Sequence, residues 1–117
     1  MNHPDSIDLI QALALLDAIH DPVLFADCDH RVRYLNRAAA EHYSEGYRLL
    51  NSNLLECHNE TSQRMMIDIL DRMLQGLDEE LITDNEKQRI FMRAVRDVDG
   101  KLLGYFERYE PPAPPSE

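Results

Sequence analysis

Residues 88–109, QRIFMRAVRDVDGKLLGYFERY, constrain the fold of this chain more than any other stretch. Ile90, Phe91, Met92 and Val95 lead one run, and Leu102, Leu103, Tyr105 and Phe106 lead a second. These side chains suit a pleated, half-buried surface. Between the runs, Asp97-Val98-Asp99-Gly100 supplies turn chemistry, because Asp bonds its own backbone and Gly accepts a positive φ. The stretch predicts two long antiparallel strands joined by a tight turn. Alternation places Ile90, Met92 and Ala94 on one face of the first strand, with Phe91, Arg93 and Val95 on the other. On the second strand it groups Leu103, Tyr105 and Glu107 against Leu102, Gly104, Phe106 and Arg108. Neither face is wholly polar, so the sheet should be covered at least partly on both sides. A lone hairpin is marginal in water, so the rest of the chain must add strands and a cover.

The remaining elements follow in order. Asp5 or Ser6 is placed to cap a helix whose apolar residues are Ile7, Leu9, Ile10, Leu13, Leu16 and Ile19. That wide stripe suits either packing on the body of the domain or a homodimer contact through Leu9, Leu13 and Leu16. Asp21-Pro22 ends the helix. Residues 23–26 and 31–35 read as a hairpin around Asp27-Cys28-Asp29-His30, taken as a solvated turn and not as a cation site. Asn36 caps a short helix over residues 37–43, and residues 47–58 read as irregular or short helical turns. Asn59, Thr61 or Ser62 caps the strongest helix. It carries the stripe Met65, Met66, Ile69, Leu70, Met73 and Leu74 and stops at Gly76. Residues 80–83 are a weak strand before the long hairpin. The proline-rich residues 111–117 should be extended and disordered. Strands with helices gathered between them predict an α+β fold: five antiparallel strands, central helices across one face, and an N-terminal flanking helix. The expected division is a flanking helix over 1–20, a core over 21–110 and a tail over 111–117.

Charge narrows the partners. The chain has 117 residues, one modest domain, and a net charge of −10. Nucleic acid needs clustered Lys and Arg, and an anionic membrane surface repels such a chain, so neither partner is expected. No apolar run reaches the length of a membrane span. Residues 7–19 do not read as a signal peptide, because Asp5 and Asp8 stand where positive charge belongs and Asp17 interrupts the run. The expectation is a cytoplasmic protein with Cys28 and Cys57 as free thiols. No nucleophile elbow, phosphate loop or metal-ligand helix is present, so catalysis is not expected.

Several words of sequence, in this order, resemble the PAS domain family over roughly residues 7–109. Ile19-His20-Asp21-Pro22-Val23-Leu24-Phe25-Ala26-Asp27 looks like the start of a PAS core. Val32-Arg33-Tyr34-Leu35-Asn36-Arg37-Ala38-Ala39 looks like its second strand, ending in Asn before the first core helix. Arg96-Asp97-Val98-Asp99-Gly100-Lys101-Leu102-Leu103-Gly104 looks like its final hairpin. Residues 53–62, NLLECHNETS, are similar to a subgroup of small sensory modules with a Cys-His pair before the long helix. Asn51 stands where many PAS domains have Gly, and Asn tolerates the left-handed conformation. The resemblance implies the strand order 2-1-5-4-3. It also implies a cytoplasmic sensory or signalling module that binds a small ligand and signals through dimerisation or a partner protein. Two alternatives stand beside this: a ligand-free protein-interaction domain, and a haem or redox sensor using Cys57 or His58.

The expected ligand pocket lies between the long helix and the inner hairpin face. It is formed by Met66, Ile69, Leu70 and Met73 against Met92, Ala94, Leu103 and Tyr105, with Cys57 and His58 at its mouth. A thiolate and an imidazole both suit soft metals, which keeps haem in view, but the bland reading is a buried core Cys and a neutral His at a helix start. The long helix carries no His, which weakens haem. Asn53 is followed by Leu54 and not by the Cys-Arg of flavin photoreceptors, which argues against a flavin photoadduct.

Overall fold

The computed structural model describes residues 6–115. The Asp5 alternative for the first cap, and the outer ends of the 1–20 and 111–117 segments, lie outside the described residues. The first helix, α1, spans Leu9–Ala18 and is capped by Asp8, not Ser6. The Gln11 N–H donates to the Asp8 carboxylate at 2.8 Å and the Asp8 N–H donates to the Gln11 side chain at 3.0 Å, a reciprocal capping box. Strands β1 (Leu24–Asp27) and β2 (Val32–Leu35) form the first hairpin, followed by α2 (Arg37–His42). Two 3₁₀ turns, Gly46–Leu49 and Leu54–Cys57, fill the irregular stretch, and Asn51 between them adopts φ +69°. Helix α3 (Glu60–Leu74) is capped by Asn59, whose side chain accepts from the Ser62 N–H. At its far end Gly76 takes φ +117°, and the Arg96 guanidinium donates to the Met73 and Leu77 carbonyls at 2.7 and 2.9 Å, tying the helix end and the turn after it to Arg96. Strands β3 (Glu79–Asp84), β4 (Arg89–Arg96) and β5 (Leu102–Glu110) complete the chain.

All five strands lie in one sheet of order β2-β1-β5-β4-β3, antiparallel throughout. This is the expected α+β arrangement, and residues 88–109 are one hairpin. The stripe of α3 is buried as its spacing requires: Met66, Ile69, Leu70 and Met73 pack into a cluster with Leu24, Ala26, Leu35, Met92 and Tyr105. A fully buried side chain of this size contributes roughly 1.5–3 kcal/mol, so α3 is held by tertiary burial more than by its own propensity.

One expectation about β5 fails for a local reason. Val95 pairs with Gly104 but Arg96 pairs with Leu102, so Leu103 is an extra residue in β5 opposite a single step of β4. The bulge breaks the alternation. Tyr105 remains buried, whereas Leu103 is 42% exposed and turns to the outer face beside Val95 and Phe106. Gly104 is required here, because a Cβ at that position would lie 2.0 Å from the Ala26 carbonyl oxygen in β1.

No residue of α1 is buried. Its Leu13 and Leu16 side an open, apolar groove of about 670 Å³ over the outer sheet face, floored by Phe25, Val95, Leu103 and Phe106. Asn36, fully buried, fastens the end of α1 to the core. Its Nδ2 donates to the carbonyls of Leu16, Ile19 and Asp21 at 3.0, 3.3 and 3.0 Å, while its Oδ1 accepts from the Val23 and Ala39 N–H groups at 2.9 and 2.8 Å. Among the described residues no helix is long and apolar enough to cross a membrane.

Candidate functional site

Glu107 occupies an inward position of β5. It pairs across the ladder with Met92, which is 1% exposed, so its carboxyl enters the layer that the neighbouring strand fills with an apolar side chain. The side chains that meet it come from separate elements. Tyr43 follows α2 directly, as its C-terminal cap, and its hydroxyl donates to Glu107 Oε2 at 3.4 Å. Tyr109, two residues along β5, donates to the same oxygen at 3.4 Å, and the two hydroxyls lie 3.0 Å apart. The His42 ring stands edge-on to Tyr43 and Tyr109, with centroids 4.9 and 5.9 Å away. His58 ends the second 3₁₀ turn, where its Nδ1 lies 2.9 Å from the Leu54 carbonyl oxygen and Gln63 donates to its own carbonyl at 2.9 Å.

Burial pushes the Glu107 carboxyl above the usual carboxylate range, opposed by the nearby His58 and by the hydroxyls of Tyr109 and Tyr43. Burial likewise holds the Tyr109 phenol up to about 12 and raises that of Tyr43, with the Glu107 charge adding to both. The cluster is thus a carboxyl between two phenols that keep their protons.

Two cavities open beside it, of about 280 and 330 Å³, and both include Tyr43, His58 and Glu107 in their walls. Leu24, Glu45, Leu49, Leu54 and Cys57 complete the first; His42, Met65, Met66, Ile82, Ile90 and Tyr109 are among those lining the second. Among the described residues, which include all 12 lysines and arginines of the chain, neither cavity has a Lys or Arg in its wall. Nor do the described residues contain a group of three or more His, Cys, Asp or Glu placed to hold a metal ion.

The structure divides the residues expected to form a pocket. Cys57 and His58 border the first cavity, and His58 and Met66 the second. Ile69, Leu70, Met73, Met92 and Tyr105 are buried in the core, with Ala94 packed against it. Leu103 lies on the opposite face of the sheet, moved there by the bulge. Cys57 is exposed and does not fill the core; one 3₁₀ turn after the buried Leu54, it stands at the open side of the first cavity. Of the residues proposed for dimer contact, Leu13 and Leu16 side the outer groove, while Leu9, 72% exposed, does not. His30 is buried, contrary to its reading as part of a solvated turn. Glu107, Tyr43, Tyr109 and His42 were not singled out by sequence reasoning. The available signal was a Glu at an inward position of an otherwise apolar and aromatic strand face.

A family model of the PAS fold matches residues 16–112. No curated protein sequence matches the chain. Among solved structures, a C-terminal domain from Streptococcus mutans is similar with a TM-score of 0.75 and 16% identity, covering 95% of this chain and 90% of that one. The PAS domain of a protein from Colwellia psychrerythraea gives 0.64 at 9% identity, with 88% and 95% covered. The PAS domain of BvgS from Bordetella pertussis gives 0.59 at 15% identity, with 91% and 87% covered.

Proposed function

This chain belongs to the PAS-fold family, and on that footing we propose that it is a sensory module whose ligand occupies the cavities around Tyr43, His58 and Glu107. The observation that carries this reading is the pair of cavities meeting at one polar cluster, set in the inner side of the sheet beside α2 and α3. A small molecule there would touch the end of α2, the turn before α3 and β5 at once. Occupancy would therefore change how these elements pack on each other, which is the first step of a signal. PAS domains are as a rule sensory and not catalytic, and no catalytic role is proposed.

The output fits self-association. Leu9, Ile10, Leu13 and Leu15 on α1 are each at least 39% exposed, and the same helix sides an apolar groove on the outer sheet face with Leu13 and Leu16. A second copy of the chain presenting the same α1 and the same face would cover both. Native mass spectrometry of freshly purified protein, with an absorbance spectrum, tests the sensory reading. A bound small molecule supports it. A protein that stays empty after incubation with small-molecule extracts sinks it, and leaves the outer face as an interaction surface alone. A Soret band would instead identify haem.

A further inference from the structure

The charge and shape of the inner cavities point to the class of their occupant, an inference that rests on the sensory reading above. An anion would need a cationic partner, and no Lys or Arg borders either cavity. Besides the phenols and the Cys57 thiol, the ionisable groups that border them are the carboxyls of Glu45 and Glu107 and the imidazoles of His42 and His58. Both hydrogen bonds that Glu107 receives reach a single oxygen, Oε2, at the long distance of 3.4 Å, so Oε1 keeps its accepting capacity free of described protein donors. Around this carboxyl stand the rings of His42, Tyr43 and Tyr109. Tyr43 and Tyr109 aim their hydroxyls at the carboxyl and, with His42, line the second cavity, and aromatic walls beside a carboxyl suit an organic cation, which gains from the charge and from the rings. A metal ion is a poorer match, since it demands several close ligands and the described residues gather no such group.

We propose that the cavities joined at Glu107 bind a small organic cation, a protonated amine, with Glu107 as its counter-ion and the His42, Tyr43 and Tyr109 rings as its walls. Burial raises the Glu107 carboxyl, and a cation bound beside it would favour the carboxylate again.

The test uses three probes of one size that differ in charge: benzylamine, benzyl alcohol and benzoate. Each is titrated into the full chain while the backbone amide signals of Tyr43, His58 and Glu107 are followed by NMR. Benzylamine alone should move these signals saturably, and Glu107→Gln should weaken it by about tenfold or more, the effect of removing the partner of a desolvated charge. Benzoate or benzyl alcohol moving them as readily would overturn the cation and leave the pocket standing. If none of the three moves them, both the cation and the pocket fall. Benzylamine binding unchanged in a folded Glu107→Gln protein also overturns the assignment. The comparison of probes needs only the parent protein, so it holds even where that variant is unstable.

Discussion

The Nδ1 atom of His30 lies 2.8 Å from the hydroxyl of Tyr105, across 75 residues of sequence. Both side chains are buried, and their rings meet edge to face with centroids 5.5 Å apart. His30 is placed there by its own backbone, which is left-handed at φ +60° in the β1–β2 turn. The pair ties that turn to the centre of β5.

Replacing His30 by Ala should leave the Tyr105 hydroxyl buried without its partner, at a cost of about 2–3 kcal/mol. Burial holds the His30 pKa below its ordinary 6.5, against the raising pull of Asp27 and Asp29. The folded state thus favours the neutral ring. Its contribution is fully present above the unfolded value and is lost as pH falls through the lowered folded value. Thermal melts from neutral to acid pH should show a smaller acid loss in His30→Gln than in the parent. Equal slopes would refute the assignment.

Gly104→Ala should be among the most damaging single substitutions in the chain. The new methyl would meet the Ala26 carbonyl oxygen at 2.0 Å, at the point where β5 pairs with β1. Either the strands separate or the bulge collapses, and the loss should be on the order of 3 kcal/mol or more. Chemical denaturation measures it. A loss under about 1 kcal/mol would mean that β1 does not approach so closely.

Asn36→Ala should cost about 3 kcal/mol, since it removes the cap of α2 and unpairs the part-buried Val23 N–H together. Asn36→Asp separates the two halves of the amide. It keeps the acceptor for Val23 and Ala39 but cannot donate to Leu16, Ile19 and Asp21. Hydrogen exchange should then show α1 loosened with α2 intact. Protection of α1 equal to the parent's would show that Asn36 does not hold it.

Glu107→Gln should flatten the stability of the protein against pH on the alkaline side of the carboxylate range. The folded pKa is raised, so folding favours the protonated acid. That preference is present below the unfolded value and is lost as pH rises through the folded one. Melting temperatures of the parent should therefore fall relative to the glutamine variant over this window. Parallel curves would place Glu107 in contact with water.

Leu9→Glu with Leu13→Glu should convert a dimer to a monomer in light scattering while leaving the melting temperature of the fold close to the parent's, since both residues are exposed in the single chain. A parent that is monomeric at every concentration would remove the self-association proposal.

The long hairpin and the α3 stripe were legible because each rests on periodicity along one segment, alternation in residues 88–109 and a spacing of one and four in Met65 to Leu74, whereas the strand order was legible only through the family resemblance. What escaped reading depends on two segments meeting. The bulge at Leu103 sits beside the point where the Ala26 backbone lies against Gly104, and nothing local to β5 announces that approach. His30 was read with its polar neighbours Asp27 and Asp29 as solvated, whereas a left-handed residue turns it toward a tyrosine far along the chain. The polar cluster escaped for the same reason, because Glu107 draws its partners from α2, from the turn before α3 and from its own strand. Asn36 was recognised as a cap, but its three bonds to the α1 end could not be read from the word that contains it.

The sheet order has a consequence for how the molecule assembles. Strands β3, β4 and β5 are neighbours in sequence as well as in space and form by successive hairpins, as do β1 and β2. Only the β1–β5 seam joins distant parts of the chain, and it carries the largest loop-closure entropy. We expect the two hairpin units to form early and the seam to zip last. The contacts gathered along it, Gly104 against Ala26 and His30 against Tyr105, would then govern the rate at which the native state opens more than the rate at which it forms.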